Sequence, residues 1–226
     1  MKVNYNELAL EERYCYAGKA ARASFTTADL YNMLRPQGLV LDLGCGKGLH
    51  TNYMVKRGCR VIPLDVSSVQ LKPVNSLEKV CADANYLPFE DNTFDCVLCA
   101  DLLEHMESPE LVIREVYRVL KKDGSALFTT PCLNIPIKQL VTMYRKIANV
   151  KMVEGEHIHV FSTMKLESII VPPFQLIEVK YKNYTSLMEI WFDCGDKLDD
   201  MLSSLTNYIN PLHYLAGSNL IKVRKS

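Results

Sequence analysis

No sign of charge dominates this 226-residue sequence, in which 26 Lys and Arg balance 26 Asp and Glu. A balanced chain lacks the basic excess that marks nucleic-acid or anionic-membrane binding, although a local patch stays open. Also missing are any 18 consecutive apolar residues and, after Met1, the apolar core of a secretory signal. The sequence therefore predicts no membrane span and a cytoplasmic protein. No internal repeat and no low-complexity tract occur, which argues against a repeat array or a disordered segment. Cysteine is not scarce, but a zinc pattern is: Cys96-Val97-Leu98-Cys99 has no second Cys-x-x-Cys partner. Cys45, Cys59, Cys81, Cys96, Cys99 and Cys132 fall in or beside predicted strands and glycine turns, as small core residues of a reducing compartment do.

What is present is ordinary globular usage, 48% hydrophobic and 23% charged. At this length that composition suits one large α/β domain with additions. The sequence around Leu39-Val40-Leu41-Asp42-Leu43-Gly44-Cys45-Gly46-Lys47-Gly48 organises the rest. An apolar strand feeds an acidic residue and a glycine-alternating turn, and a helix is expected from Leu49 to Arg57, closed by Gly58. Strand, glycine turn and helix make a ligand site at the carboxyl ends of an open α/β sheet. Further strands are expected at Cys59–Leu64, Lys79–Ala82, Phe94–Ala100, Ser125–Thr130, Gln175–Lys182 and Asn219–Val223. Helical patterns precede the first strand in residues 1 to about 35, and others are read near 138–147, 163–170 and 186–208. Between the fourth and fifth strands the signals predict a helix with Ser108 as N-cap and Pro109 at its first position. Lys121-Lys122 would lie at its negative end and Gly124 would stop it. This alternation predicts a doubly wound, mostly parallel α/β sheet with helices on both faces.

Asp42, Gly44, Gly46, Gly48, Asp65 and Asp83 fall at the ends of three successive predicted strands. Asp65 stands 17 residues after Gly48, near the interval of about 20 at which a carboxylate meets a ribose in dinucleotide folds. The G-x-G-x-G spacing differs from the G-x-G-x-x-G of pyrophosphate-binding nicotinamide sites.

The segment Val40–Gly48 resembles motif I of the class I S-adenosylmethionine-dependent methyltransferases. Asp65 matches their ribose-binding acid, and Cys81-Ala82-Asp83-Ala84-Asn85-Tyr86-Leu87-Pro88-Phe89 is similar to their adenine-contacting segment. Phe94-Asp95-Cys96-Val97-Leu98-Cys99-Ala100-Asp101-Leu102-Leu103-Glu104-His105 resembles motif IV. Residues 115–125 resemble the helix–strand link that follows it. The resemblance runs from about residue 38 to 131. Beyond it, Glu156-His157-Ile158-His159-Val160-Phe161-Ser162 is similar to a segment of the small-molecule branch that includes ubiquinone-type O-methyltransferases.

The resemblance implies a single domain with a seven-stranded Rossmann-like methyltransferase sheet. Residues 1–36 would form a helical lid, 38–131 the cofactor core, and 132–163 with 181–208 the acceptor-side additions. Gly44, Cys45, Gly46 and Gly48 would face the methionine part of S-adenosylmethionine, with Asp42 reaching its ammonium directly or through water. Asp65 would hold the ribose, Val66 and Ala84 would flank the adenine, Asp83 would take its exocyclic amine, and Ala100 would lie against the methionyl group. A small organic acceptor with an O or N nucleophile is the leading expectation. A tRNA or protein methyltransferase and a non-catalytic binding module are the alternatives. No Asn/Asp-Pro-Pro-Tyr-type motif follows the fourth strand, where Ala100-Asp101-Leu102-Leu103 stands instead.

The sulfonium methyl is already activated, so alignment matters most and a base helps if the acceptor must lose a proton. His105, His157 and His159 are the candidate bases. His105 can equally cap a loop, and alternation puts at most one of His157 and His159 in the site, with His157 favoured. Asp101, Glu104 and His105 also resemble the Glu-x-x-Glu-His metal set of some quinone O-methyltransferases. The first position here is one methylene shorter, and a solvated acidic loop is the competing reading.

Overall fold

A computed structural model describes residues 25–131, 159, 161–182 and 218–226. Its elements run α1 (Thr27–Leu34), β1 (Leu39–Leu43), α2 (Leu49–Val55), β2 (Arg60–Asp65), α3 (Ser68–Leu71), β3 (Val80–Cys81) and β4 (Phe94–Ala100). A 3-10 turn (Leu103–His105) follows, then α4 (Pro109–Val119), β5 (Leu120–Pro131), α5 (Thr163–Ile170), β6 (Gln175–Lys182) and β7 (Ser218–Arg224). The seven strands form one sheet in the order β3-β2-β1-β4-β5-β7-β6. The pairs from β3 through β5 are parallel, and β7 is antiparallel to both β5 and β6. The doubly wound, mostly parallel expectation is met.

Period-2 alternation along each strand sorts side chains to two faces. Val40, Val61, Cys96, Leu98, Leu127 and Leu220 pack with Leu30, Met33 and Leu34 of α1 and Met54 of α2. Their strand neighbours Leu41, Ile62, Val97, Phe128 and Ile221 pack instead with α4 and α5. Helices therefore cover both faces. The chain steps from β1 outward to β2 and β3, then returns to β4 on the other side of β1. Such a reversal opens a crevice at the carboxyl ends of the two strands on either side of it, here β1 and β4.

The link from α4 to β5 departs from the sequence expectation. The helix stops at Val119, and Lys121, Lys122 and Gly124 already belong to β5. The competing demand is sheet pairing: Phe94 pairs with Leu120 and Cys96 with Ser125, so the intervening residues bulge, with Asp123 at φ 63°. Lys121 is spent on Asp95, whose two oxygens lie 2.9 Å from its Nζ. Gly124 is needed for close approach, since a Cβ there would lie 2.9 Å from the Lys121 carbonyl and 3.0 Å from that of Asp95. Ser108 takes the N-cap place of α4, but its side chain makes no capping hydrogen bond. Helix α2 is shorter than expected, ending at Val55. The helices expected near 138–147 and 186–208 lie outside the described residues. Among the described residues Cys45, Cys59, Cys81, Cys96 and Cys99 are free thiols. Cys45, Cys96 and Cys99 are buried, whereas Cys81 is exposed. No helix there is long and apolar enough to cross a membrane.

Candidate active site at the β1–β4 crevice

The glycine turn leaves β1 at its carboxyl end and is tied to β2, with the Gly44 and Cys45 N–H groups donating to the Leu64 carbonyl at 2.8 and 3.0 Å. The glycines do different jobs. A Cβ on Gly44 would meet Leu102 at 3.0 Å, and one on Gly48 would meet Val74 at 2.8 Å, so these two are packing positions. Gly46, at φ 52°, has open space where a Cβ would stand, and its backbone is the part of the turn a ligand can approach.

Beneath the turn Asp42 is 1% exposed and accepts the Thr51 hydroxyl proton from the first part of α2. Burial raises its pKa, while the nearby His50 and the Thr51 hydrogen bonds pull the other way. Asp65, at the end of β2, accepts from the Gly46 N–H at 2.9 Å through one oxygen and from the Ser67 N–H at 2.8 Å through the other. Burial raises its pKa too, against those two backbone donors. Each carboxylate oxygen has two lone pairs, so Asp65 braces the turn and retains capacity for further donors. Val66 beyond it is 46% exposed.

Asp83 is exposed, and one of its oxygens holds the Asn85 N–H and side-chain amide at 2.8 and 2.9 Å. Ala84 is buried at its side. Arg118 pins this loop from behind, donating to the carbonyls of Leu87 and Phe89 and to Asp91 and Glu115. Cys45 is buried in the turn, and its thiol is pushed well above the usual range.

On the other side of the crevice, Ala100 ends β4, partly buried against the α1–α2 core. Asp101 follows in the left-handed region at φ 49°, with its N–H on the Thr129 carbonyl and its carboxylate on the Thr129 hydroxyl. Glu104 is 1% exposed, and its Oε2 accepts from the Thr130 hydroxyl at 2.9 Å while Oε1 has no hydrogen-bond partner. Burial first, and then Asp101, push its carboxyl up to about 8. The His105 Nε2 stands 3.9 Å from that Oε1, an electrostatic contact rather than a hydrogen bond.

The structure thus brings Asp42, Gly44, Gly46, Gly48, Asp65, Asp83, Ala84 and Ala100 along one rim at the carboxyl ends of β1–β4. It does not draw Asp101, Glu104 and His105 into one donor set: Asp101 turns to Thr129 and Glu104 to Thr130. Among the described residues no group of three or more His, Cys, Asp or Glu could hold a metal ion. His157 lies outside the described residues. The His159 N–H donates to the Glu104 carbonyl, and its ring contacts the Glu107 carbonyl at 3.4 Å and Phe161. Thr51, Leu102, Val74 and Arg118 were not among the expected site residues. Of these, Thr51 was readable, since a hydroxyl one turn into α2 can face the strand acid that precedes the glycines.

Residues 41–128 match the family described as "Methyltransferase domain". That match, over the strands and turns of the crevice, supports a class I S-adenosylmethionine-dependent methyltransferase. The chain is similar to a ubiquinone biosynthesis O-methyltransferase of Chromobacterium violaceum, 36% identical over 100 residues that make up 40% of this chain and 43% of that protein. It is also similar to a glycine/sarcosine/dimethylglycine N-methyltransferase of Actinopolyspora halophila, 36% identical over 109 residues, 43% of this chain and 19% of that one. The chain therefore spans less than half the length of these curated relatives. The domain shares its fold with a SAM-dependent methyltransferase from Archaeoglobus fulgidus at a TM-score of 0.63 and 17% identity, covering 88% of this chain and 92% of that chain.

Proposed function

We propose that this methyltransferase domain moves a methyl group from S-adenosylmethionine to an oxygen or nitrogen of a small organic acceptor. The observation that carries the reading is the rim itself: open backbone at Gly46, with Asp42, Asp65 and Asp83 at the ends of consecutive strands. The residues suit the cofactor, because Gly46 leaves room for a ligand against the turn and Asp65 keeps lone pairs for two ribose hydroxyls. When bound, the cofactor supplies a sulfonium methyl that needs no further activation. Asp65 then holds the ribose, Val66 and Ala84 flank the adenine, and Asp83 takes its exocyclic amine with the oxygen not spent on Asn85. Asp42 sits under the turn as the counter-charge to the methionyl ammonium. Its burial and its bond to Thr51 support contact through water. Cys45 and Gly46 turn backbone toward the methionyl chain, and Ala100 packs beside it. His105 and His157 are the candidate bases for an acceptor that must lose a proton. The lid role expected of residues 1–36 does not extend to α1, whose Leu30, Met33 and Leu34 are core residues, and 132–163 with 181–208 shape the acceptor side.

Balanced charge supports a small-molecule acceptor over RNA. The test is to supply the protein and methyl-labelled S-adenosylmethionine to a cell extract, then separate small molecules, RNA and protein. Label in the small-molecule fraction is the expected result. Label in RNA or protein overturns the acceptor class, and no transfer by a chain that binds S-adenosylhomocysteine makes it a non-catalytic module.

A further inference from the structure

Among the described residues, four other than glycine take left-handed backbone: Arg35, Asn92, Asp101 and Asp123. Three of them lie toward the amino ends of strands. Arg35 caps α1 ahead of β1, Asn92 precedes β4, and Asp123 sits in the bulge where β5 begins. Asp101 alone stands at a carboxyl end, one residue past Ala100, at φ 49°. A side chain disfavours that backbone, least so in Asp and Asn, and it persists where the surroundings over-determine it, often at functional sites. Thr129 of β5, the strand partner of Ala100, does so twice here. Its carbonyl accepts the Asp101 N–H at 2.9 Å, and its hydroxyl donates to Asp101 Oδ1 at 2.8 Å.

Both chain neighbours of Asp101 border the crevice. Ala100 ends β4, the strand beside β1, and Leu102 packs on Gly44, where a Cβ would meet it at 3.0 Å. Consecutive Cα atoms stand about 3.8 Å apart, so Asp101 belongs to the crevice wall, with its side chain leaning toward β5. It is half-buried, whereas Glu104 in the same loop is 1% exposed. Burial, and then Asp101, keep the Glu104 proton in place up to about 8, so Glu104 adds no charge there at neutral pH. Asp101 Oδ2 has no hydrogen-bond partner among the described residues.

Resting on the methyl-transfer reading, we propose that Asp101 is a catalytic residue: its Oδ2 accepts the hydrogen of a neutral hydroxyl or amine acceptor and stabilises the positive charge that this nucleophile acquires. The hydrogen bond aims an acceptor lone pair at the methyl carbon. That lone pair forms the new bond, the C–S bond breaks with its electron pair staying on sulfur, and the sulfonium charge passes to the acceptor. A fixed carboxylate beside that atom acts most strongly in the transition state, where the charge develops. A hydroxyl acceptor then gives its proton to Oδ2, because a methylated oxonium is a strong acid, and an amine keeps its proton as an ammonium.

The experiment compares the parent with Asp101→Asn, which keeps an oxygen for the Thr129 hydroxyl and tolerates left-handed backbone but carries no charge. Each receives methyl-labelled S-adenosylmethionine and the small-molecule fraction of a cell extract, and calorimetry gives its affinity for S-adenosylhomocysteine. Transfer at saturating S-adenosylmethionine should fall about 100-fold in the variant, with KM for S-adenosylmethionine and affinity for S-adenosylhomocysteine within twofold of the parent. Asp101→Gly, in which glycine takes the left-handed backbone freely, should show the same loss and replaces Asp101→Asn if that variant does not fold. A loss of less than tenfold overturns the proposal. So does an equal loss of cofactor affinity in a folded variant, which would place Asp101 in the cofactor site. Transfer by the parent that stops in chelator and returns with Mg²⁺ overturns it as well, because Asp101 then serves a metal ion. A parent that binds S-adenosylhomocysteine but transfers no label removes the methyl-transfer reading itself, and this role with it.

Discussion

The two sides of the β1–β4 crevice are built in opposite ways. On the β1–β3 side, acids from neighbouring stretches of chain brace the turn they flank: Asp65 holds the Gly46 and Ser67 N–H groups, and Asp42 holds Thr51. On the β4–β5–β7 side, Glu104, Thr130, Thr163 and Asn219 come from four separate stretches, and two of their oxygens stay unpaired. One side is a self-bonded scaffold that presents a ligand with open backbone and spare lone pairs. The other is a buried polar cluster that only the tertiary fold assembles.

Breaking the scaffold side should have the largest effect. If Asp65 holds the ribose as proposed, Asp65→Ala removes two charge-assisted hydrogen bonds, each worth about 1.5–3 kcal/mol, so S-adenosylhomocysteine affinity should fall at least about 100-fold by calorimetry. Equal affinity in the variant would remove Asp65 from the site. The glycines sharpen the same half. Gly48→Ala must push a methyl into Val74 at φ 78° and should cost about 2–4 kcal/mol in chemical denaturation. Gly46→Ala should cost only about 1–2 kcal/mol of strain, with the larger loss in cofactor affinity. Equal stability losses would contradict the division of labour between them.

The β4–β5–β7 side is tested by pH. Glu104 is held up to about 8 when folded, against an ordinary value of 4.5. Between those values the folded state keeps a proton that the unfolded state has lost. Stability should therefore fall as pH rises through that window, by up to about 1.4 kcal/mol per pH unit from this group alone. Glu104→Gln should remove that component of the slope, and an unchanged slope would mean that Glu104 titrates normally. The smallest effect expected is that of chelation: with Asp101 and Glu104 turned to different threonines, chelator should leave S-adenosylhomocysteine affinity within twofold.

The contrast also explains what the sequence made legible. The strands from β1 to β4, the acids that end them and the glycine spacing are consecutive in the chain, so pattern alone located them. Helix α4 was read correctly at Pro109 but not at its end. The pairing of Leu120 with Phe94 and of Lys121 with Asp95 is a tertiary demand that local helix-stop signals do not carry. Thr130 and Asn219 were read only as strand residues, because nothing local shows that they become neighbours across β5 and β7. Arg118 fastens the Leu87–Asp91 loop through three partners, the Leu87 and Phe89 carbonyls and the Asp91 carboxylate, none of them signalled by local pattern.

The central claim is that the rim from Asp42 to Asp83 is a site for S-adenosylmethionine, and titration of the unmodified protein with S-adenosylhomocysteine tests it most directly. One saturable site that ignores NAD is the predicted result. Absence of binding, or equal binding of NAD, would contradict the account.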